Sequence, residues 1–229
     1  MRFTRRFRRS QDDAAPREEM VRTQLEARGI TDGPTLAAMR AVPREAFVPE
    51  QLRDHAYDDQ ALPIGYGQTI SQPYIVAAMT ASLGYARETM PEHSPDSVLD
   101  VGTGSGYQAA VLAQMGARVS SIERDPSMAA AARERLARLG YEVEVVVGDG
   151  SSGYMDRAPF SGIVVGAGVP AVPDPLVDQL AVGGRLVIPI GPREGQQLTI
   201  IERRRTGTTL RTTDACVFVP LVGEYGYRV

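Results

Sequence analysis

Apolar positions along the chain follow two different rhythms, with the change near residue 97. Before it, Met20, Val21, Gln24 and Leu25 stand at helical spacing within 17–28, and Gly29 follows as a natural stop. A short helix is expected over 34–40, after which Pro43 and Pro49 bracket an irregular segment containing Phe47. The stretch 62–73 carries Pro63, Gly65, Gly67 and Pro73 and reads as a loop without regular structure, apolar enough to be held against the body. Ile75, Val76, Met79 and Leu83 predict a helix over 74–83, and a polar connector follows over 87–96.

Beyond residue 97, short apolar runs alternate with helical segments, the signature of a βαβ series on a mostly parallel sheet. Strands are expected at 98–101, 119–122, 143–147, 163–165, 186–190, 198–201 and 217–219, with helices at 107–115, 127–139 and 175–180. No helix separates the last two strands, so they should form an antiparallel hairpin through Thr206 and Gly207. The fold class is therefore α/β, Rossmann-like, with a C-terminal antiparallel hairpin and an N-terminal helical extension.

The 229 residues suffice for one such domain, expected over 17–229 with 17–96 as its extension. Arg2, Arg5, Arg6, Arg8 and Arg9 crowd a tail over 1–16, expected to be disordered, while the net charge of −3 leaves no general basic face. No apolar span follows that tail, so neither a signal peptide nor a membrane anchor is expected. The chain contains no lysine, which excludes Schiff-base chemistry and the phosphate-binding lysine of P-loops. Cys216 is alone and His55 and His93 are the only histidines, so a metal-free protein of the reducing cytoplasm is the economical reading.

The candidate chemistry starts at Asp100-Val101-Gly102-Thr103-Gly104-Ser105-Gly106, a buried strand running through a glycine turn into a helix. A dinucleotide fingerprint has the spacing G-x-G-x-x-G, and the carboxylate of Asp100 would repel a pyrophosphate. S-adenosylmethionine has no phosphate and carries an ammonium, a sulfonium and a ribose diol, for which carboxylates are favourable neighbours. Asp100 suits its methionine end, Glu123 at the end of the next strand suits the ribose hydroxyls, and Asp149 with Gly150 suits the adenine amine. Gly102, Thr103, Gly104 and Gly106 would form the cradle.

Further segments accompany that turn: Val42-Pro43-Arg44-Glu45-Ala46-Phe47-Val48-Pro49, Gly67-Gln68-Thr69-Ile70-Ser71-Gln72-Pro73, Gly148-Asp149-Gly150, Gly183-Gly184-Arg185-Leu186-Val187-Ile188-Pro189 and Phe218-Val219-Pro220-Leu221. With them, nearly the whole chain after the tail resembles the protein-L-isoaspartate O-methyltransferases. The resemblance implies the methyltransferase version of the Rossmann-like fold, and methyl transfer from S-adenosylmethionine to the α-carboxylate of L-isoaspartyl residues in damaged proteins and peptides. The ester then favours succinimide closure, from which some normal aspartate is regenerated. It also implies that Ser71 lies beside the reacting carboxylate, that Ile70, Gln72, Leu221 and Val222 contact the substrate, and that 17–96 carries the substrate loop. Departures at Ser161 and at Gly166-Ala167-Gly168-Val169-Pro170 lead us to expect altered packing beside the methyl-transfer site.

Two other readings remain at this stage: an enzyme esterifying ordinary aspartate in a dedicated peptide, and a non-catalytic cofactor-binding or RNA-associated protein. The arginine tail is the sole feature favouring the latter, and no aromatic-rich basic groove accompanies it, so no nucleic-acid partner is expected.

Overall fold

The computed structural model describes residues 14–84 and 97–228; the tail up to residue 13 and the connector expected over 87–96 lie outside them. The first helical stretch consists of α1 (Ala14–Met20), a wide π turn (Val21–Leu25) and a 3-10 turn (Glu26–Arg28), and it ends at Gly29 as expected. It opens at Ala14, inside the stretch assigned to the tail. Helix α2 (Gly33–Ala41) is capped by Asp32, whose carboxylate accepts from Thr35 N–H at 2.9 Å.

The stretch 62–73 corrects the expectation of an irregular loop. Strands β1 (Leu62–Gly65) and β2 (Gln68–Ile70) form an antiparallel ribbon in which Leu62 pairs with Ile70, both buried. The ribbon tolerates its breakers because Pro63 sits in an edge strand of a two-stranded sheet and the glycines flank the turn at Tyr66. Helix α3 (Pro73–Leu83) follows directly.

The main sheet has the order β5-β4-β3-β6-β7-β8-β9, comprising β3 (Ser97–Val101), β4 (Arg118–Glu123), β5 (Val143–Val147), β6 (Phe160–Val165), β7 (Leu180–Ile190), β8 (Gln196–Arg203) and β9 (Thr208–Cys216). The first five of these run parallel, connected in part by α4 (Tyr107–Gln114), α5 (Pro126–Arg138) and α6 (Asp174–Asp178), and the last two are antiparallel. The expected hairpin turn near Thr206 and Gly207 is present, but the strand after it is Thr208–Cys216 rather than 217–219. This edge strand is mostly exposed and rich in threonine, so it lacks the apolar run by which buried strands announce themselves. Residues Val217 to Val219 continue past the sheet edge towards the site instead.

Strand β3 is buried on both faces. Leu99 and Val101 pack with Ile163, Leu176 and Leu186, whereas Val98 packs with Met79, Leu112 and Val187. The N-terminal segments join the same body, with Val21, Leu25, Met39 and Phe47 clustered against Tyr107 and Leu136. Phe47 meets Tyr107 edge-on at 5.4 Å between ring centroids.

Candidate cofactor pocket and acceptor cleft

The glycine turn lies at the carboxyl end of β3, where an open α/β sheet presents its ligands. Gly106 precedes α4 at φ 89°, the left-handed region that favours glycine, and a Cβ there would press on the Leu136 side chain of α5 at 3.2 Å. Gly104 N–H donates to Glu123 Oε2 at 2.9 Å, and Asp125 N–H donates to Oε1 at 3.1 Å. Glu123 thus stands against the turn with acceptor capacity remaining on each oxygen.

Asp100 is completely buried and accepts from Ser121 Oγ at 2.7 Å, and Ser121 is itself 2.6 Å from Thr103 Oγ1. Since Ser121 gives its proton to the carboxylate, Thr103 donates to Ser121, and the three form one chain. Thr103 therefore turns its hydroxyl inward to support Asp100, and its contribution to the turn is made through the backbone. Asp100 Oδ1 is buried with no hydrogen-bond partner. Burial raises the Asp100 carboxyl to about 7; the Ser121 hydrogen bond opposes this and the charge of Glu123 adds to it. Two neighbouring acids, one of them incompletely partnered, fit a cationic ligand such as the methionine end of S-adenosylmethionine.

A pocket of about 130 Å³ is lined by Gln68, Thr69, Gly102, Gly104, Glu123, Arg124, Gly150 and Gly166 among others, and by the C-terminal residues Val219 to Val222. Asp149 does not line it: Oδ1 accepts from Ser151 N–H and Oγ–H, and Oδ2 accepts from Glu224 N–H at 2.8 Å. Partial burial opposes ionisation of Asp149, but these hydrogen bonds outweigh it and hold the carboxyl below its ordinary range. Its observed work is to fasten the C-terminal segment, assisted by Ser151 Oγ accepting from Tyr225 N–H at 3.0 Å.

Beside this pocket lies a cleft of about 820 Å³ bounded by Ser71, Gln72, Gly191, Gln196, Cys216 and Phe218 among others, and the two share Thr69, Gly166 and Val219. Ser71 Oγ has no hydrogen-bond partner in the protein among the described residues. The cap of α3 is Gln72, which makes no side-chain cap bond. A capping role for Ser71 is thereby removed. Gln72 Nε2 instead donates to Asp59 Oδ1 at 2.6 Å, which anchors the loop from outside. Ile70 is buried beneath the ribbon and lines neither cavity, whereas Leu221 and Val222 line the smaller pocket.

Among the described residues that line the cleft, the only charged side chain is Glu194, and burial raises the Cys216 thiol to about 11, so no thiolate stands there at neutral pH. Ser161 corrects another expectation. It sits at the amino end of β6, donating to Ser97 O at 2.9 Å, on the side of the sheet away from the site. Gly166 and Gly168 are the departures that matter locally, since Gly166 lines both cavities and Gly168 exchanges backbone hydrogen bonds with Val219 and Leu221.

Ser121 has no part in the sequence-based expectations, and Thr69, Val219 and the buried Arg44 stand in quoted motifs without an assigned role of their own. Ser121 carries a signal in the sequence, a polar residue inside an apolar strand that demands a partner.

Comparison with known proteins places residues 15–226 in a match to the family described as protein-L-isoaspartate(D-aspartate) O-methyltransferase. A protein-L-isoaspartate O-methyltransferase of Methanoculleus marisnigri is 54% identical over 214 residues, covering 93% of this chain and 94% of the relative. One from Marinobacter nauticus is 53% identical over 220 residues, covering 95% and 97%. Among solved structures, a protein-L-isoaspartate O-methyltransferase superposes with TM-score 0.79 at 28% identity, over 92% of this chain and 67% of the other. A putative Plasmodium falciparum counterpart, solved with S-adenosyl-L-homocysteine, gives TM-score 0.75 at 26% identity, over 90% and 98%.

Proposed function

This chain belongs to the protein-L-isoaspartate(D-aspartate) O-methyltransferase family, and we propose that Ser71 positions the α-carboxylate of an L-isoaspartyl residue for methyl esterification at the junction of pocket and cleft. The substrates are damaged proteins and peptides, and the methyl ester starts repair through a succinimide. Bound S-adenosylmethionine supplies the methyl group from its sulfonium. Asp100 and Glu123 would hold its cationic and ribose ends, the backbone from Gly102 to Gly106 would cradle it, and Gly150 would line the adenine side.

The observation that carries this reading is the Ser71 hydroxyl, which borders the acceptor cleft and is committed to no protein partner. An acceptor carboxylate is ionised near neutral pH and needs no general base. It needs an orienting donor and freedom from a masking cation, and the described residues that line the cleft include the Ser71 hydroxyl and no basic side chain, Arg124 lining only the smaller pocket. Ser71 donates to one carboxylate oxygen, which leaves the other to face the methyl group. Leu221 and Val222 close the smaller pocket from above, Gln72 braces the loop through Asp59, and Ile70 anchors it in the core.

Among the described residues no helix is long and apolar enough to cross a membrane, and no cluster of three potential metal ligands occurs. A cytoplasmic enzyme acting without metal or nucleic acid is the setting we propose. The test is methyl incorporation into matched isoaspartyl and aspartyl peptides by the parent and by Ser71→Ala. The parent should label the isoaspartyl peptide selectively, and Ser71→Ala should lose roughly 1–3 kcal/mol in kcat/KM, as for a hydrogen bond to a charged group. Equal labelling of both peptides would refute the selectivity, and parent-like turnover by Ser71→Ala would refute the role of the hydroxyl.

A further inference from the structure

Arg44 is the largest side chain completely buried among the described residues, and none of them pairs a carboxylate with it. A buried cation without a counter-ion is costly, and an apolar side chain of similar volume would serve packing alone better. What Arg44 does have is three directed contacts. Its Nε donates to Ala56 O at 2.7 Å, its Nη2 donates to Ser71 O at 2.7 Å, and its Cζ stands 4.9 Å over the ring centroid of Tyr107. The remaining nitrogen, Nη1, is buried without a hydrogen-bond partner.

These contacts connect the two halves of the site. Ser71 belongs to the acceptor loop, and Tyr107 is the first residue of α4, immediately after Gly106 of the glycine turn. Binding the Ser71 carbonyl fixes the peptide plane from behind while the hydroxyl of the same residue stays uncommitted at the cleft. Its place over the Tyr107 ring refers that peptide plane to the turn. The planar guanidinium offers two divergent donors and a flat cationic face at once, and an ammonium on a flexible stem does not.

We infer that Arg44 is a positioning residue that holds Ser71 at a fixed separation from the glycine turn, acting through the Ser71 carbonyl and the Tyr107 ring. The inference rests on the reading of Ser71 given above. It differs from a merely structural role in one consequence: removing the guanidinium should impair turnover through Ser71, and only slightly where the Ser71 hydroxyl is already gone.

Four proteins test it: the parent, Arg44→Lys, Ser71→Ala and the double variant, each assayed for kcat and KM on an isoaspartyl peptide, for S-adenosyl-L-homocysteine affinity by calorimetry and for thermal unfolding. Arg44→Lys should lower kcat roughly tenfold, because a misplacement of about an ångström is enough for such losses. It should leave KM and S-adenosyl-L-homocysteine affinity close to parental values, and it should change kcat little in the Ser71→Ala background. Parental kcat in Arg44→Lys, or an equal loss in both backgrounds, overturns the inference while leaving Ser71 in place. Parental kcat in Ser71→Ala overturns the reading of Ser71 and the inference with it. Arg44→Gln, neutral and still able to donate to one carbonyl, replaces the lysine variant if that one does not fold. Failure of both to fold assigns Arg44 to stability alone and also overturns the inference.

Discussion

Asp100 shows how poorly a single side chain can be accommodated by the protein around it. It is completely buried in a strand interior, where Ser121 satisfies one oxygen and nothing in the protein satisfies the other. With its carboxyl raised to about 7 by burial, it keeps a proton in the folded chain that the unfolded chain releases near the usual value of about 3.9. Between those two pH values the folded state binds more protons, so the stability Asp100 contributes is complete below the lower value and is lost as pH rises through about 7. Chemical denaturation of the parent and Asp100→Asn between pH 5 and pH 8 should show the parent losing stability relative to the variant as pH increases. A pH-independent difference would mean that Asp100 is ionised throughout. A bound ammonium or sulfonium beside Asp100, as proposed above, would favour the ionised form, so ligand and proton would then compete for this group.

Among the elements, the C-terminal segment after β9 decides access to the pocket. Its hold is made of backbone groups: Leu221 N–H donates to Gly168 O, Glu224 N–H to Asp149 Oδ2 and Tyr225 N–H to Ser151 Oγ. Tyr227 adds a bond from its hydroxyl to Gly191 O at 2.6 Å. The pocket beneath measures about 130 Å³ and adjoins the cleft of about 820 Å³ through Thr69, Gly166 and Val219, so this segment forms one wall of the space a ligand would enter. Ser151→Ala removes the acceptor for Tyr225 and a donor to Asp149. We expect amide exchange at Glu224 and Tyr225 to accelerate by roughly tenfold, corresponding to about one hydrogen bond, with the sheet amides unaffected. Unchanged protection would show that the segment is held by Leu221 and Tyr227 instead.

Across the molecule, the N-terminal segments are fastened to the site's supports rather than appended to them. Arg17 Nε donates to Tyr57 Oη at 3.0 Å, its Nη1 to Arg40 O and Ala41 O at 3.2 Å each, and its Nη2 meets Glu45 Oε1 at 3.3 Å. Tyr57 also donates to Glu45, which neighbours Arg44. Both members of the Arg17–Glu45 pair are largely shielded from water, so Arg17→Ala should cost about 1–3 kcal/mol of stability by leaving Glu45 short of a partner. Deletion of Met1 to Ser10 stops short of Arg17 and should leave both the melting temperature and turnover of a short isoaspartyl peptide at parental values. A large loss of turnover in the folded truncation would make the tail part of the active enzyme.

The βαβ series, the glycine turn, its strand-end acids and the family could be read from the chain, because each is a local pattern: periodicity for the elements, residue type at fixed spacing for the turn, and contiguous motifs for the resemblance. Strand β9 and the β1–β2 ribbon were not legible, since an exposed edge strand needs no apolar run and a two-stranded ribbon tolerates proline and glycine. Tertiary structure alone decided what each polar group faces. It turned Thr103 towards Ser121, gave Asp149 to the C-terminal segment, moved Ser161 away from the site and set Arg44 behind Ser71 across 27 residues of chain. The reason is that burial without a partner is costly, and which partner relieves it depends on segments brought together only when the core closes.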